Sequence, residues 1–535
     1  MAEISNSRHV LDVVVVGAGF AGMYMLYRLR EQGLNVLVLD EASEVGGTWY
    51  WNRYPGARCD VESMEYSYSF SDELQQEWEW SDRFSTQPEI LEYASHVADR
   101  FDLRKNIKFD SRVESMTFSD NQTWVIETVS GEVYRSRYCV MATGTLSSVN
   151  EPKFEGVDAF GGDWYVTGRW PHKAVDFTGK RVGIIGTGSS AVQAIPVIAS
   201  QAEKLTVFQR TPNYSIPARN RPLTGEEVDE IKSNYSDVRD RARGNRAGIA
   251  SMIVGNRGVF DVSDDERNEE FERRWEEGGT NFLAAFNDIG LDSDSNMTVA
   301  DFVRSKIKDV VKDPKMANLL SPTNTIGCKR LCADTNYYET YNRNNVFLVD
   351  VNENPIERIV EKGVRTTNKT YEFDIIIYAI GFDAMTGALL SIDIKGKSDS
   401  TLRQKWSEGP RTFLGLCTQG FPNMFMITGP GSPSVLSNMM TSIEQHVDWV
   451  SDCVSYMYSN GRNTIEASLD AENRWMDHVE EVADDTLRYS CNSWYVGANI
   501  PGKKRIFLPY AGGVPQYAKT CNEVAANGYE GFSVC

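Results

Sequence analysis

Two stretches of the chain share a pattern in which a short apolar run leads into closely spaced glycines and then into a helical periodicity. Residues 11–16 are the first apolar run, and residues 17–22 read GAGFAG. Residues 23–32 then predict a helix, and residues 35–39 predict a strand that ends at Asp40. This order of strand, glycine turn, helix and strand is typical of a dinucleotide-binding βαβ unit.

The same pattern returns later in the chain. Residues 181–185 form an apolar run, residues 186–191 read GTGSSA, a helix is predicted to follow, and residues 205–208 predict the next strand. Two such units predict an α/β fold with two Rossmann-like dinucleotide-binding domains.

The region between residues 218 and 323 has a different pattern. Charged residues are dense and apolar strand runs are absent, so we predict a helical insertion in the second domain. Thr224, Ser263 and Thr298 are each followed by an acidic residue and are predicted to start helices. Strand character returns at residues 345–351 and 373–379, and a helix is predicted over 442–458.

The two glycine turns differ in the residues that follow them. In the first, Asp40 is expected to accept hydrogen bonds from a ribose 2′-hydroxyl, so that site fits FAD or NAD. In the second, the strand ends at Arg210 and Thr211, which are able to bind a 2′-phosphate that an acid would repel. The second site therefore fits NADP, and the two sites together suggest hydride transfer from NADPH to a flavin.

Composition and residue spacing argue against nucleic-acid binding, membrane insertion and metal binding. The chain of 535 residues has a formal net charge of −20, which disfavours nucleic-acid binding. It has no apolar run near the roughly 20 residues that span a bilayer, and no signal-peptide pattern, so we predict a cytoplasmic protein without a membrane partner. The five histidines have no metal-ligand spacing, and no metal is expected.

The nine cysteines argue against a dithiol enzyme. No Cys-x-x-Cys occurs, and the thiols are interpreted as reduced, mostly core residues. Cys328 and Cys332 are the nearest approach to a pair, but on a helix this spacing is wider than a disulfide prefers.

Several longer motifs resemble the type I Baeyer–Villiger monooxygenases over nearly the whole chain, near the phenylacetone, steroid and cycloalkanone monooxygenases. They are residues 46–60 (GGTWYWNRYPGARCD), Phe160 with Gly162, residues 170–171, 327–330, 379–383, 429–433 and 492–495.

The resemblance implies FAD in the first site and NADP(H) in the second, with each domain built from separate stretches of the chain. The expected segments are 1–145 and 382–535 for the FAD-binding domain, 146–217 and 324–381 for the NADP-binding domain, and 218–323 for the helical insertion.

The resemblance also implies roles for individual residues. Arg330 and Asp60 are expected at the reaction centre, and Ser434, Val435 and Leu436 in the substrate pocket. The expected cofactor-binding residues are Gly17, Gly19, Phe20, Gly22, Asp40, Glu41, Gly47, Thr48, Trp49, Tyr54, Asp60, Gly186, Gly188, Ser189, Ser190, Arg210, Thr211, Lys329 and Trp494.

The chemistry that follows is the oxidation of a ketone to an ester or lactone with NADPH and O₂. A C4a-peroxyflavin anion attacks the ketone carbonyl, and it needs a cation and little water nearby. Arg330 remains charged at working pH and suits this task, and Asp60 is expected to pair with it and orient it. The predicted partners are the ketone and O₂, and the chain is expected to be a monomer or a weak homo-oligomer.

One position departs from the family fingerprint F-x-G-x-x-x-H-x-x-x-W-[P/D]. Val166 stands where the histidine is expected, and His172 lies six residues further on. Valine neither titrates nor hydrogen-bonds through its side chain, so any role of that histidine is absent or moved. Two alternatives stay open: a flavin-dependent N- or S-oxygenating monooxygenase, and a non-catalytic dinucleotide-binding redox sensor.

Overall fold

The computed structural model describes residues 10–535, and its largest element is a mixed sheet of eight strands. The buried run Val13–Val16 pairs in parallel with Val36–Leu39 on one side and with residues 138–141 on the other. Val13 and Val15 lie in one buried cluster and Val14 and Val16 in another, so both faces of this strand are covered, which explains its continuous run of β-branched residues. The strands in spatial order are Asp393–Lys395, Val113–Phe118, Trp124–Thr128, Val133–Met141, Leu11–Val16, Val36–Leu39 and Ile107–Lys108, and Met424–Met426 also pairs with Val133–Met141.

A second sheet of five parallel strands is built from the middle of the chain. In spatial order its strands are Val346–Asp350, Lys204–Gln209, Arg181–Ile185, Ile375–Tyr378 and Asp163–Val166. The chain thus leaves the first sheet, builds the second, and returns to the first. The α/β class with two dinucleotide-binding units is confirmed, whereas the five segment boundaries stay predictions.

Smaller strands and the helices complete the fold. The small sheets pair Ser215–Pro217 with Cys332–Asp334, Ile356–Val360 with Gly363–Thr366 and Thr370–Glu372, and Ile465–Ala467 with Phe532–Val534. The helices outside residues 218–323 are Phe20–Glu31, Thr48–Trp51, Asp72–Glu77, Gln87–Arg100, Ser189–Gln201, Tyr337–Thr340, Gly387–Leu390, Leu402–Lys405, Met439–Ser459, Leu469–Asp484 and Val514–Ala526. Among residues 10–535, none of the helices combines the length and apolar character that crossing a bilayer requires.

The region 218–323 contains helices and no strand, as its charge pattern predicts. Its helices are Gly225–Ser233, Tyr235–Gly244, Asp264–Glu277, Ser293–Val310 and Pro314–Leu320. Thr224 and Ser263 close capping boxes at two of these helices. The predicted helix start at Thr298 is wrong, because Asp292 accepts a hydrogen bond from the Ser295 N–H and starts the helix earlier. Thr298 lies inside that helix and donates to the Asp294 carbonyl.

Candidate functional site

A bidentate ion pair joins two loops that are distant in sequence. The Nε and Nη2 atoms of Arg330 donate to the two carboxylate oxygens of Asp60 over 2.8 and 2.7 Å. Burial acts to raise the pKa of Asp60, but the charge and hydrogen bonds of Arg330 outweigh it and hold that pKa below its usual value. The charge of Asp60 in turn keeps the pKa of Arg330 above its usual range. Arg330 is therefore a fixed, partly buried cation.

The third corner of this arrangement is the predicted substrate loop. Arg330 donates from Nη1 to the Val435 carbonyl over 2.8 Å. Val435 lies in the single 3-10 turn Ser434–Leu436, and Arg330 lies two residues before the short strand Cys332–Asp334. Three separate parts of the chain thus meet at one guanidinium group, and hydrogen bonds from each of its three nitrogen atoms fix its orientation.

The first glycine turn leaves bare backbone at the start of the helix Phe20–Glu31. A Cβ atom at Gly22 would lie 1.8 Å from the Gly17 carbonyl oxygen, and one at Gly17 would lie 2.4 Å from that of Ala142. Gly17 also has a φ of +107°, which favours glycine. This turn fits the pyrophosphate of FAD, since helix N-terminal N–H groups bind anions.

The segment after the second strand packs against this turn. A Cβ at Gly47 would lie 2.9 Å from the Gly19 Cα, so two glycines allow the segments to touch. Gly47 precedes the helix that runs from Thr48 to Trp51. The buried Trp49 donates from Nε1 to the Tyr66 hydroxyl over 3.1 Å and is thereby fixed beside the turn.

The two acids that end the second strand have different surroundings. Asp40 is buried and accepts from the Ala18 and Ala42 N–H groups, and burial raises its pKa to about 6 despite these bonds. Each of its oxygens has a second lone pair, so binding a ribose hydroxyl is compatible with these contacts. Glu41 instead faces Arg112 and Arg169 over 3.7 and 3.9 Å.

The second glycine turn repeats the geometry of the first. Gly186 has a φ of +114°, and a Cβ there would lie 2.3 Å from the Ala379 carbonyl oxygen. A Cβ at Gly188 would meet nothing within 4 Å, which leaves open space above the turn. Ser189 and Ser190 are the first residues of the helix that follows, so their N–H groups are free of intrahelical partners.

A pair of cations lies at the end of the second strand of this unit. Burial lowers the pKa of Lys329, and the positive charge of the nearby Arg210 lowers it further. Arg210 and the side chain of Thr211 are exposed, and the Thr211 carbonyl accepts from Thr187 over 2.9 Å. Two adjacent cations fit the 2′-phosphate of NADP.

Three of the remaining predicted site residues, two from the substrate pocket and the cofactor residue Trp494, lie in or against one apolar cluster. Val435 belongs to its buried part, and Leu436 and Trp494 pack against it. The Trp494 and Tyr495 rings lie 4.4 Å apart between centroids. Ser434 has a φ of +42° and donates to the Thr428 carbonyl over 3.3 Å, so its hydroxyl holds the loop.

The interpretation of all nine cysteines as reduced thiols is wrong for two of them. Cys328 and Cys491 form a disulfide, with their Cα atoms 6.0 Å apart. Cys332, the residue paired with Cys328 in the spacing argument, lies on a strand and is free. Spacing along the chain could not show this bond, because its cysteines are 163 residues apart.

One contact between the two nucleotide-binding units is not predicted from the sequence. Gln193, in the helix of the second unit, accepts from the Tyr54 hydroxyl over 2.8 Å and donates to the Arg58 carbonyl over 3.0 Å. The predicted cofactor residue Tyr54 thus also joins the units. A glutamine inside a helix carries no signal of such a role, because its partners lie far away in sequence.

Val166, which stands at the position of the fingerprint histidine, lies on the edge strand of the second sheet. Val166 is buried opposite Tyr378, among the side chains of Phe160 and Ile185. His172 does not take its place, since its ring lies 4.7 Å from that of Tyr50. A cavity of about 290 Å³ lies beside this loop, lined by Arg53, Pro55, Gln87 and residues 170–175.

Comparison with known proteins relates the whole chain to flavin-dependent oxygenases. Residues 14–246 match the pyridine nucleotide-disulphide oxidoreductase family. A Baeyer–Villiger monooxygenase of Pseudooceanicola batsensis is 42% identical and matches over 97% of this chain and 95% of its own. The phenazine N-monooxygenase PhzNO1 of Lysobacter antibioticus is 40% identical over 99% and 98% of the two chains. The structure of an oxidized steroid monooxygenase bound to NADP superimposes with a TM-score of 0.94, with 50% identity over 98% and 99%.

Proposed function

The chain belongs to the type I Baeyer–Villiger monooxygenases, and we propose that it oxidises ketones to esters or lactones at a centre formed by Arg330 and Asp60. The observation that carries this proposal is the position of the Arg330–Asp60 pair. One guanidinium group is held by Asp60 of the first unit and by the Val435 carbonyl of the predicted substrate loop. A fixed cation at such a junction stabilises negative charge that develops during oxygen transfer.

The residues for both cofactors fit their groups. The first glycine turn and Asp40 would hold FAD, and the second turn with Arg210 and Lys329 would hold NADPH. Bound there, FAD would supply the redox chemistry, which is hydride acceptance from NADPH and activation of O₂. The chain itself supplies binding, orientation and charge.

Arg330 would stabilise the negative charge that appears on oxygen during the transfer. Its hydrogen bonds to Asp60 and Val435 fix the guanidinium before any substrate enters, so no reorganisation is needed when negative charge appears. Asp60 keeps the cation oriented and compensates its charge in the resting enzyme. Trp494 and Leu436, which pack on the apolar cluster, exclude water from this region.

The direct test supplies NADPH, a ketone and isotopically labelled O₂ to the purified holoenzyme. Baeyer–Villiger oxidation places one labelled oxygen atom in the ester and consumes one NADPH per ester formed. An unlabelled product, or NADPH consumption with hydrogen peroxide as the sole product from all ketones tried, contradicts the proposal.

N-oxygenation is the second candidate, and the relationship to a phenazine N-monooxygenase favours keeping it. The same labelled assay with a phenazine separates the two reactions. N-oxygenation places the labelled oxygen on a ring nitrogen of the phenazine, whereas Baeyer–Villiger oxidation places it in an ester formed from the ketone. The Arg330–Asp60 pair favours the ketone reaction, since a fixed cation stabilises an anionic oxygen better than a neutral aromatic ring nitrogen.

The proposal also covers the location of the enzyme in the cell and its assembly state. We place the enzyme in the cytoplasm, as a monomer or weak homo-oligomer without a nucleic-acid or membrane partner. Light scattering at several protein concentrations tests the assembly, and a stable large oligomer would contradict it.

A further inference from the structure

The apolar cluster beside Arg330 has cations around it that the proposed reaction does not use. The buried side chains of this cluster, which we name the pocket cluster, are those of Ala384, Met385, Val435, Ala483, Tyr495, Val496, Phe507, Leu508 and Ala511. Three arginines each contact one of its residues. Arg330 is the first of them, through the Val435 carbonyl.

The other two arginines contact residues of the pocket cluster that come from the C-terminal part of the chain. The guanidinium carbon of Arg488 lies 5.9 Å from the centroid of the Tyr495 ring. Arg246 donates from Nη2 to the Ala511 carbonyl over 2.7 Å. Arg488 is half-buried and Arg246 is exposed, so Arg246 is the more solvent-accessible of the two.

In the part of the chain that the structure describes, two of these three arginines have no carboxylate that balances their charge. Asp60 compensates Arg330, but within residues 10–535 neither Arg246 nor Arg488 forms an ion pair. Burial lowers the pKa of Arg488; the interaction with Tyr495 opposes this shift, and the positive charges of Arg246 and Arg330 add to it. A guanidinium group stays charged even so.

The phosphates of NADP do not account for this charge. The 2′-phosphate has Arg210 and Lys329, and the pyrophosphate has the turn at Gly186. Arg488 instead contacts Tyr495, which shares the pocket cluster with Val435 of the predicted substrate loop. An unpaired, half-buried cation beside another cation is costly, and a carboxylate would relieve both costs.

We propose that Arg488, with Arg246 on its solvent side, forms an anion-binding subsite of the ketone pocket, so that the enzyme favours ketones bearing a carboxylate. This deepens the proposed function and rests on it. Arginine binds carboxylates through two parallel hydrogen bonds, and near a low-dielectric cluster such bonds are stronger than in water.

The test compares ketones that differ in charge and by one methyl group: para-acetylbenzoate with its methyl ester, and levulinate with its methyl ester. The wild-type holoenzyme should show a higher kcat/KM for each acid than for its ester. Arg488→Gln should lower this acid-to-ester ratio by about 10-fold or more, mostly through KM of the acid, since a charge-assisted hydrogen bond is lost. Arg246→Gln should lower it in the same direction but less.

Two further variants make the result specific. Arg488→Lys keeps the charge and should retain most of the preference, whereas Arg505→Gln removes an exposed arginine from the same segment and should leave the ratio unchanged. A ratio that Arg488→Gln does not move, while both esters are still oxidised, overturns the subsite. If the wild-type enzyme oxidises none of the four ketones and no other ketone, it is the proposed function that fails.

Discussion

The disulfide between Cys328 and Cys491 joins the segment that leads into Arg330 to the segment that leads into Trp494. Cys328 lies two residues before the first, and Cys491 three residues before the second. A covalent link at this position restrains the Trp494 segment beside the Arg330 loop. The opposite end of that segment is held by the ion pair of Lys503 with Asp383.

Thiol counting tests the disulfide directly. The denatured protein should expose seven reactive thiols without reductant and all nine after reduction, because seven cysteines are free. Nine thiols without reductant would show that the bond does not form in solution.

Removal of the bond should loosen the Trp494 segment. Disulfides typically contribute about 2–4 kcal/mol to stability, so Cys491→Ser and Cys328→Ser should both lower the unfolding temperature. They should also speed trypsin cleavage after Lys504 and Arg505, two exposed sites beyond the bond. Cys535→Ser, at the exposed free cysteine, is the control and should behave as the wild type.

The cofactor preference depends on Arg210. Only NADPH carries the 2′-phosphate, so Arg210→Ala should raise KM for NADPH by about 10- to 100-fold, as the loss of a charge-assisted bond predicts. KM for NADH should change little. Steady-state kinetics with both cofactors gives the comparison, and equal losses with both would contradict the assignment.

Position 166 tests whether a fingerprint histidine is required here. Val166→His should give a folded, FAD-loaded enzyme in which the ratio of ester formed to NADPH oxidised differs from the wild type, because the loop after this strand borders both nucleotide-binding units. Val166→Leu is the matched control, since it keeps an apolar side chain among Phe160, Ile185 and Tyr378. An unchanged ratio in the histidine variant would show that position 166 is only a packing position.

The sequence predicts most of what depends on local patterns. The strand Leu11–Val16 and the strand Arg181–Ile185 were predicted to the residue, because buried parallel strands are unbroken apolar runs that end at glycines. The helix start at Thr298 was wrong because a stronger cap, Asp292, precedes it. Threonine with a following acid is a common pattern, and the hydrogen bond from the Ser295 N–H to Asp292 shows where this helix begins.

Contacts between distant segments were beyond local patterns. The bond from Cys328 to Cys491 and the bridge from Gln193 to Tyr54 depend on how the two units dock. The Arg330–Asp60 pair was anticipated only because the motifs around each residue resemble a known family. Arg488 had no motif, and its unbalanced charge becomes visible only once the pocket cluster is formed.

Asp60 should matter less than Arg330. Asp60→Ala leaves the cation in place but removes two hydrogen bonds that orient it, so ester formation should slow while some coupling to NADPH oxidation survives. Asp60→Asn keeps the shape and should fall between the wild type and the alanine variant. Stopped-flow spectra of flavin reduction and reoxidation measure each step, and a larger loss in Asp60→Ala than in Arg330→Ala would contradict these roles.

The most direct test of the central claim is the ester yield per NADPH oxidised by Arg330→Ala, measured with labelled O₂ on enzyme whose FAD content equals that of the wild type. Removing a preorganised cation from such a site costs roughly 3–4 kcal/mol of transition-state stabilisation. The account predicts that ester formation is lost while FAD stays bound and NADPH oxidation continues, with hydrogen peroxide as the product. Labelled ester at near the wild-type rate would contradict it.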